Sequence, residues 1–311
     1  MSIDNGVIEH ATQTIEAGSK SFATAARLFD ETTRQSAVML YAWCRHCDDV
    51  VDGQQLGHGQ QQGDRSNAVA SLAGLERSTQ SACAGQLSGD PVFDGLAEVV
   101  RRHGIPVCYL LEHLAGFRMD VEDRHYISLD DTMAYCWRVA GVVGVMMAMV
   151  MGNRDPATLD RACDLGLAFQ LTNIARDVVE DAAIGRVYLP AAWLKEEGIF
   201  VPGDLLNIVH RAALGRVAAR LVDSADPYYS SAVAGIGALP LRSAWSIATA
   251  RGVYRDIGRK VKAHGAHAWD RRIATSRMDK LWFLARGAAV AVAAHGIYAQ
   301  PRASHLWQRP V

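Results

Sequence analysis

Apolar residues recur every three or four positions along almost the whole chain, which is the period of amphipathic helices. No stretch alternates apolar and polar residues as a half-buried strand would, and no repeat or Pro/Gly-rich linker divides the chain. The pattern predicts one all-α domain over residues 1–311, with loosely ordered ends at about 1–16 and 300–311. The predicted helices cover residues 12–28, 33–52, 68–83, 91–103, 106–124, 159–181, 205–226, 228–239 and 241–263.

A further helix is predicted behind Ser128, because Ser128 and Asp131 have the spacing of a capping box. It becomes apolar on all sides over residues 139–152, so we expect it to be buried. Gly141 and Gly144 indicate that a neighbouring helix or an apolar chain passes close to its backbone. The stretch is too short to span a bilayer, and the amino terminus lacks a signal-peptide core. The sequence therefore predicts a soluble or peripheral protein.

Two predicted helices carry acidic faces. Gln170, Asn173, Asp177 and Asp181 are spaced by three, four and four residues, so they share one helical face. Carboxylates four residues apart repel each other, and oxygen-only ligands favour a hard divalent ion. An isolated stripe of this kind is usually solvated, but a second pair, Asp48 and Asp52, repeats the spacing on the 33–52 helix. Two such helices facing each other would hold metal ions with a diphosphate between them.

Composition adds little about the class of protein or its cellular compartment. Half of the 311 residues are hydrophobic, which is enough for a substantial core, and the formal net charge of -1 gives no general case for nucleic-acid binding. The six cysteines are scattered, as reduced thiols of a cytosolic protein would be. We therefore expect a cytoplasmic protein.

Several motifs together resemble those of the squalene/phytoene synthase family, and within it the bacterial phytoene synthases. The resemblance spans roughly residues 17–267 and implies an all-α isoprenoid-synthase bundle around a central apolar cavity. It rests on these segments: Ser19-Lys20-Ser21-Phe22, residues 41–52, residues 135–141, residues 170–181, Gly185-Arg186-Val187-Tyr188 and Tyr254-Arg255-Asp256-Ile257.

The resemblance implies a Mg²⁺-dependent, head-to-head condensation of two geranylgeranyl diphosphates through prephytoene diphosphate to phytoene, the first committed step of carotenoid biosynthesis. Mn²⁺ is expected as a substitute, and no NADPH requirement is expected. Two alternatives stay open: a C30 squalene or dehydrosqualene synthase using farnesyl diphosphate, and a non-catalytic relative that binds prenyl lipids. The apolar product suggests peripheral contact with the inner face of the membrane, through residues 287–299 or the Trp307 tail, and association with other carotenoid-pathway enzymes.

The same positions supply the candidate site. The expected metal ligands are Asp48, Asp52, Asn173, Asp177 and Asp181. The expected substrate-binding residues are Ser19, Lys20, Ser21, Phe22, Tyr41, Arg45, Gln170, Asn173, Arg186 and Tyr254. Arg186 is placed either to bind phosphate or to pair with the carboxylates. The catalytic residues are the four aspartates with Tyr135, and the proton acceptor is either the departing diphosphate or a tyrosine such as Tyr135. Asp120 is a further candidate for the polar end of the site.

Overall fold

A computed structural model of the chain describes residues 4–53, 65–295 and 301–310. Helices dominate these ranges and no strand occurs in them, which confirms the all-α prediction. The helices are α1 Asn5–Gly18, α2 Lys20–Ala26, α3 Glu31–Asp52, α4 Arg65–Cys83, α5 Pro91–His103, α6 Val107–Val121, α7 Leu129–Cys136, α8 Val142–Val150, α9 Pro156–Ala183, α10 Ala191–Glu196, α11 Arg211–Ile236, α12 Leu241–His264 and α13 Arg277–His295.

Capping residues set the limits of the helices that carry the acidic faces. Asp30 accepts a hydrogen bond from the Thr33 amide at the start of α3, and Gly53 ends α3 in the left-handed conformation that glycine adopts without strain. Asp155 caps α9 in the same way through Thr158. The predicted bounds of these helices, residues 33–52 and 159–181, lie close to the observed ones.

Two helix predictions were wrong. The predicted helix over residues 12–28 is two helices, because Ser19 is extended and its side chain caps α2 through the Phe22 amide at 3.3 Å. The predicted break at Pro227 does not occur, since α11 continues through it. Burial of Tyr229 and its neighbours against α9 outweighs the roughly 3 kcal/mol that an internal proline costs.

The described ends of the chain differ from the loosely ordered ends that the sequence predicted. Residues 5–16 belong to α1, where Val7, Ala11 and Ile15 are buried and the helix packs on α3. Near the carboxyl end, Arg309 contacts Asp160. The spacing of these three apolar residues places them on one helical face, and their burial holds α1 on the bundle.

A π-helical turn, Trp137–Gly141, joins α7 to α8 without a break. Among the described residues the resulting run Leu129–Val150 is long and apolar enough to cross a bilayer by length and composition, but 61% of its most apolar window is buried in the bundle, as in the core helix of a globular protein. A Cβ on Gly144 would collide with the Ala162 carbonyl of α9, so this glycine lets α8 and α9 approach closely.

Candidate active site

A cavity of about 760 Å³ lies between α2, α3, α8, α9, α11 and α12. Its lining changes from polar to apolar along the helices. At one end it is lined by charged and amide side chains: Arg45, Asp48, Gln170, Asn173, Arg176 and Arg272. Towards the other end it is lined by small or apolar side chains: Ala25, Ala26, Phe29, Gly144, Met151, Ile236 and Leu239.

The cavity is long in one direction. Both Thr158 and Asn173 of α9 line it, and their separation of fifteen positions corresponds to roughly 22 Å of helix. The helix direction places Asn173 at the polar end and Thr158 near the apolar end. The cavity therefore has the form of a slot with a charged mouth and a mainly apolar end, although Arg161 also lines it there. We call the apolar end the closed end, because buried side chains such as Phe29, Met151 and Leu239 line it.

On α3, the first acidic pair is held by arginines. Arg45 contacts Asp48 at 3.0 Å and Asp49 at 2.6 Å, while Asp52 accepts two hydrogen bonds from Arg186. Burial, with repulsion from Asp52, nevertheless raises the pKa of Asp48 to about 6. Of the two roles considered for Arg186, the structure shows pairing with a carboxylate.

On α9, as on α3, one aspartate of the acidic pair is held by an arginine and the other has a raised pKa. Asp177 accepts hydrogen bonds from Arg176 at 2.7 and 2.5 Å. Burial, followed by repulsion from Asp177, raises the pKa of Asp181 to about 8. One turn earlier, Asn173 donates to Gln170 at 3.3 Å, but the buried Asn173 Oδ1 has no hydrogen-bond partner among the described residues.

Asp120 of α6 lies near both acidic helices, since its pKa is affected by Asp52 of α3 and it affects the pKa of Asp181 of α9. Its carboxylate accepts hydrogen bonds from Tyr135 at 3.2 Å and from Tyr188 at 3.0 Å. Burial raises its pKa to about 7, and Asp52 adds to that effect while Arg186 opposes it. Asp120 therefore adds a carboxylate to the mouth from a third helix. Unlike the pairs on α3 and α9, it has no second aspartate four residues away.

The remaining predicted residues fall into three groups. Some line the cavity, namely Ser19, Phe22, Tyr41, Arg45, Asp48, Tyr135, Gln170, Asn173 and Tyr254. Others lie at the mouth beside it, namely Asp52, Asp177, Asp181 and Arg186. Lys20 and Ser21 belong to α2, and their side chains lie outside the described part of the structure. Arg176 and Arg272, which contact Asp177, are mouth residues that the sequence reasoning missed.

Aromatic rings form part of the wall below the mouth. Tyr254 stacks on Phe169 at 4.3 Å and on Phe22 at 5.7 Å between ring centroids. Tyr135 stacks on Tyr188 at 4.6 Å. Ring faces attract cations and exclude water, so this wall is suited to a cationic intermediate.

The mouth has the chemistry of a divalent-cation site, but its ligands are not assembled around one point. Carboxylates with raised pKa values and the unpartnered Asn173 Oδ1 are oxygen donors that a hard cation would satisfy. In the described ranges, however, no three acidic, histidine or cysteine side chains converge closely enough to share one ion. Arginines hold Asp52 and Asp177 instead. This arrangement fits a cation that takes a few carboxylates and completes its shell with phosphate oxygens.

Comparison with known proteins identifies the family of the chain. A squalene/phytoene synthase family model matches residues 15–279. The chain belongs to the squalene/phytoene synthase family. The 15-cis-phytoene synthase of Enterobacter agglomerans is 56% identical over 297 residues, covering 96% of this chain and 100% of that protein. That of Pantoea ananas is 53% identical over 305 residues, covering 98% of each.

A solved structure of a dehydrosqualene synthase in complex with ligand superposes with a TM-score of 0.82 at 26% identity, covering 93% of this chain and 97% of the other. These findings confirm the predicted isoprenoid-synthase fold and the assignment as a prenyltransferase. Membership implies a prenyl diphosphate substrate and, for the family in general, dependence on a divalent metal.

Proposed function

We propose that this chain condenses two geranylgeranyl diphosphates head to head to form phytoene, with Mg²⁺ as the metal. The identity of 53–56% to proteins named phytoene synthases over nearly the whole chain is the observation that carries this proposal. The slot supports it, since its charged mouth suits a diphosphate and its closed apolar end suits a long hydrocarbon.

The small side chains near the closed end favour C20 over C15 substrates. Ala25 and Ala26 of α2 are buried and line the slot, so the helix backbone rather than a large side chain forms that part of the wall. A chain of four isoprene units needs more room in this direction than a chain of three. A C30 synthase remains the second candidate, because the superposed dehydrosqualene synthase has the same fold.

The mouth residues supply binding and charge stabilisation. Mg²⁺, when bound, would neutralise the diphosphate that leaves, and Asp48, Asp181 and Asn173 are the side chains best placed to hold it. Arg45 and Arg176 line the slot and each already contacts a carboxylate, so they can exchange that partner for phosphate oxygens. Stabilising charge that develops on the leaving group is the largest expected contribution to catalysis.

The apolar wall then controls the carbocations. Loss of diphosphate from one substrate leaves an allylic cation, the C2–C3 double bond of the second captures it, and loss of a proton gives prephytoene diphosphate. A second ionisation, rearrangement and proton loss give phytoene, and no reductant is consumed. Tyr254, Phe22 and Phe169 line the slot, where they keep water from the cations.

The geometry favours the departing diphosphate as the proton acceptor over Tyr135. The Tyr135 hydroxyl donates to Asp120, and burial raises the pKa of Tyr135 well above its usual value. A phenol that stays protonated is a poor base. Tyr135 instead fits the role of holding Asp120 beside the mouth.

Product analysis with purified protein tests the proposal. We expect phytoene from geranylgeranyl diphosphate with Mg²⁺ and without NADPH, and no product after chelation of the metal. A C30 product from farnesyl diphosphate would replace the C40 assignment by the second candidate. Absence of diphosphate release from both substrates would leave a non-catalytic prenyl-lipid-binding protein.

A further inference from the structure

Helix α13 has two apolar faces, and only one of them is covered by the residues that the structure describes. Its inner face packs on α12, where Phe283, Ala291 and Ala294 are buried. Residues on the opposite side recur every three or four positions and are exposed; they form the α13 stripe, Met278, Leu281, Trp282, Ala285, Ala289 and Val292. A surface helix facing water normally carries polar residues on its outer side, so this face points to an apolar environment.

The side chains of this stripe are large and strongly exposed. Met278 is 72% exposed, Trp282 63% and Val292 65%. From Met278 to Val292 the stripe extends over roughly 21 Å of helix, which is long for an uncovered apolar surface of a monomer. Tryptophan beside aliphatic side chains is typical of helices that lie in the interface of a bilayer.

Arginines flank the stripe on one side. Arg286 follows Trp282 by four residues, and its charge acts on Arg251 of α12. Arg255 and Arg259 continue the same face of α12 at four-residue steps. Asp226 of α11 contacts Arg255 at 2.6 Å, and it is the acidic group whose charge couples to Arg251, Arg255 and Arg259. Arg251 donates to the Tyr229 carbonyl, and Asp279 of α13 pairs with Lys260. The exposed Arg259 and Arg286 therefore carry the positive charge that suits an anionic surface.

The stripe also begins beside the slot. Ile273, Ala274 and Thr275, directly before α13, line the cavity, and so does Lys280 within its first turn. The side chains of Met278, Leu281 and Trp282 are therefore within one or two helical turns of residues that line the slot.

We propose that the α13 stripe and the flanking arginines dock this protein on the surface of an anionic lipid bilayer. The bilayer covers the apolar side chains, and its headgroups neutralise the arginines. A second copy of the chain would bring another set of the same arginines to the patch, which like-charge repulsion disfavours. The Trp307 tail, which the sequence suggested for membrane contact, is engaged elsewhere, since its amide donates to Tyr228 and its ring lies 6.5 Å from that of Trp137.

Vesicle binding without any substrate tests the surface. The probes are vesicles containing phosphatidylglycerol and vesicles of phosphatidylcholine alone. We expect binding to the anionic vesicles that weakens with salt, and about tenfold weaker binding for both Trp282→Glu and Arg286→Glu. The matched controls are Ile208→Glu, which alters a residue that is 80% exposed on another element, and Arg77→Glu on α4. Both controls should bind within about twofold of the unchanged protein, because screening limits the reach of a distant charge.

The possible results separate the alternatives. Equal binding of Trp282→Glu and the unchanged protein would overturn the proposal, and so would an absence of binding to anionic vesicles. A dimer in light scattering that Trp282→Glu converts to a monomer would assign the stripe to a second copy instead. Thermal melting of each variant excludes a folding defect, since the altered side chains are exposed.

Docking itself does not depend on the proposed function, and only the use of this surface to pass an apolar product into the bilayer rests on it. If that function is wrong, no phytoene forms from geranylgeranyl diphosphate while vesicle binding is unchanged. If the docking surface is wrong, phytoene forms and the Trp282→Glu protein binds vesicles as the unchanged protein does. The two failures are therefore distinguishable.

Discussion

Two clusters of buried charge lie at opposite ends of the slot, and they differ in how well their carboxylates are satisfied. Behind the closed end, Asp164 has no exposed surface and accepts hydrogen bonds from Arg302 at 2.6 and 2.9 Å. The Ser231 hydroxyl also donates to it. At the mouth, by contrast, Asp48 and Asp181 keep raised pKa values of about 6 and 8 although arginines lie nearby.

This difference in hydrogen bonding indicates that the carboxylate behind the closed end is structural and that the carboxylates at the mouth are functional. A buried carboxylate with a complete set of donors stabilises one arrangement of the chain, and removing it leaves charges without partners. Carboxylates that repel each other cost stability unless a cation joins them. The closed end therefore holds the bundle together, while the mouth is arranged for a partner that carries positive charge.

The largest expected effect is loss of stability at the closed end. Asp164→Asn leaves the buried Arg302 guanidinium without its counter-ion, so we expect the free energy of unfolding to fall by about 3–5 kcal/mol. Denaturant titration measures it. The control is Asp160→Asn, which breaks the more exposed pair with Arg309 and should cost about 1 kcal/mol or less. Equal losses for the two variants would contradict the contrast between the clusters.

The next effect is loss of activity at the mouth. We expect Asp181→Asn to lower kcat by about 100-fold or more, because a ligand for the charge-stabilising cation is lost. Its melting temperature should stay the same or rise, since the substitution removes a carboxylate that repels Asp177. Glu180→Gln changes an exposed neighbour on the same helix and should retain activity. A clear drop in melting temperature for Asp181→Asn would place this residue with Asp164 as a structural group.

Local signals predicted which helices carry the acidic pairs. The four-residue spacing of Asp48 and Asp52, and of Asp177 and Asp181, showed which face of each helix is acidic, and the helical period gave bounds close to the observed ones. These signals are contained in single helices. The resemblance to the family then predicted that the two helices contribute to one site.

Pairings between distant segments could not be predicted. Arg186 meets Asp52 from 134 residues away, and Arg302 meets Asp164 from 138 residues away. A sequence shows that such arginines exist but not which carboxylate each will contact. The carboxyl-terminal segment looked loosely ordered for this reason, because its anchoring partners lie on α9.

A smaller effect should follow from narrowing the apolar end. Ala26→Phe places a ring where a buried alanine lines the slot, so we expect the ratio of kcat/KM for geranylgeranyl over farnesyl diphosphate to fall about 10- to 100-fold. Ala26→Val should give an intermediate ratio. Ala23→Val, on the same helix but not among the residues that line the slot, is the control. An unchanged ratio for Ala26→Phe would show that the substrate chain does not reach this part of the slot.

The smallest expected effect is a pH dependence of stability that comes from the mouth carboxylates and not from the closed end. The pKa values of Asp48, Asp120 and Asp181 are raised above the usual value near 4 to about 6, 7 and 8. The folded state therefore binds more protons than the unfolded state between about pH 4 and 8, and this contribution to stability is lost as pH rises through that window.

Mg²⁺ should reverse that loss by pairing with the ionised carboxylates. We expect the rise in melting temperature on adding Mg²⁺ to be greater at pH 8 than at pH 6, and calorimetry to detect proton release on binding. Asp181→Asn should reduce this pH dependence, whereas Asp160→Asn, beside the closed end, should leave it unchanged. Equal stabilisation by Mg²⁺ at both pH values would mean that the cation does not displace protons from the mouth carboxylates.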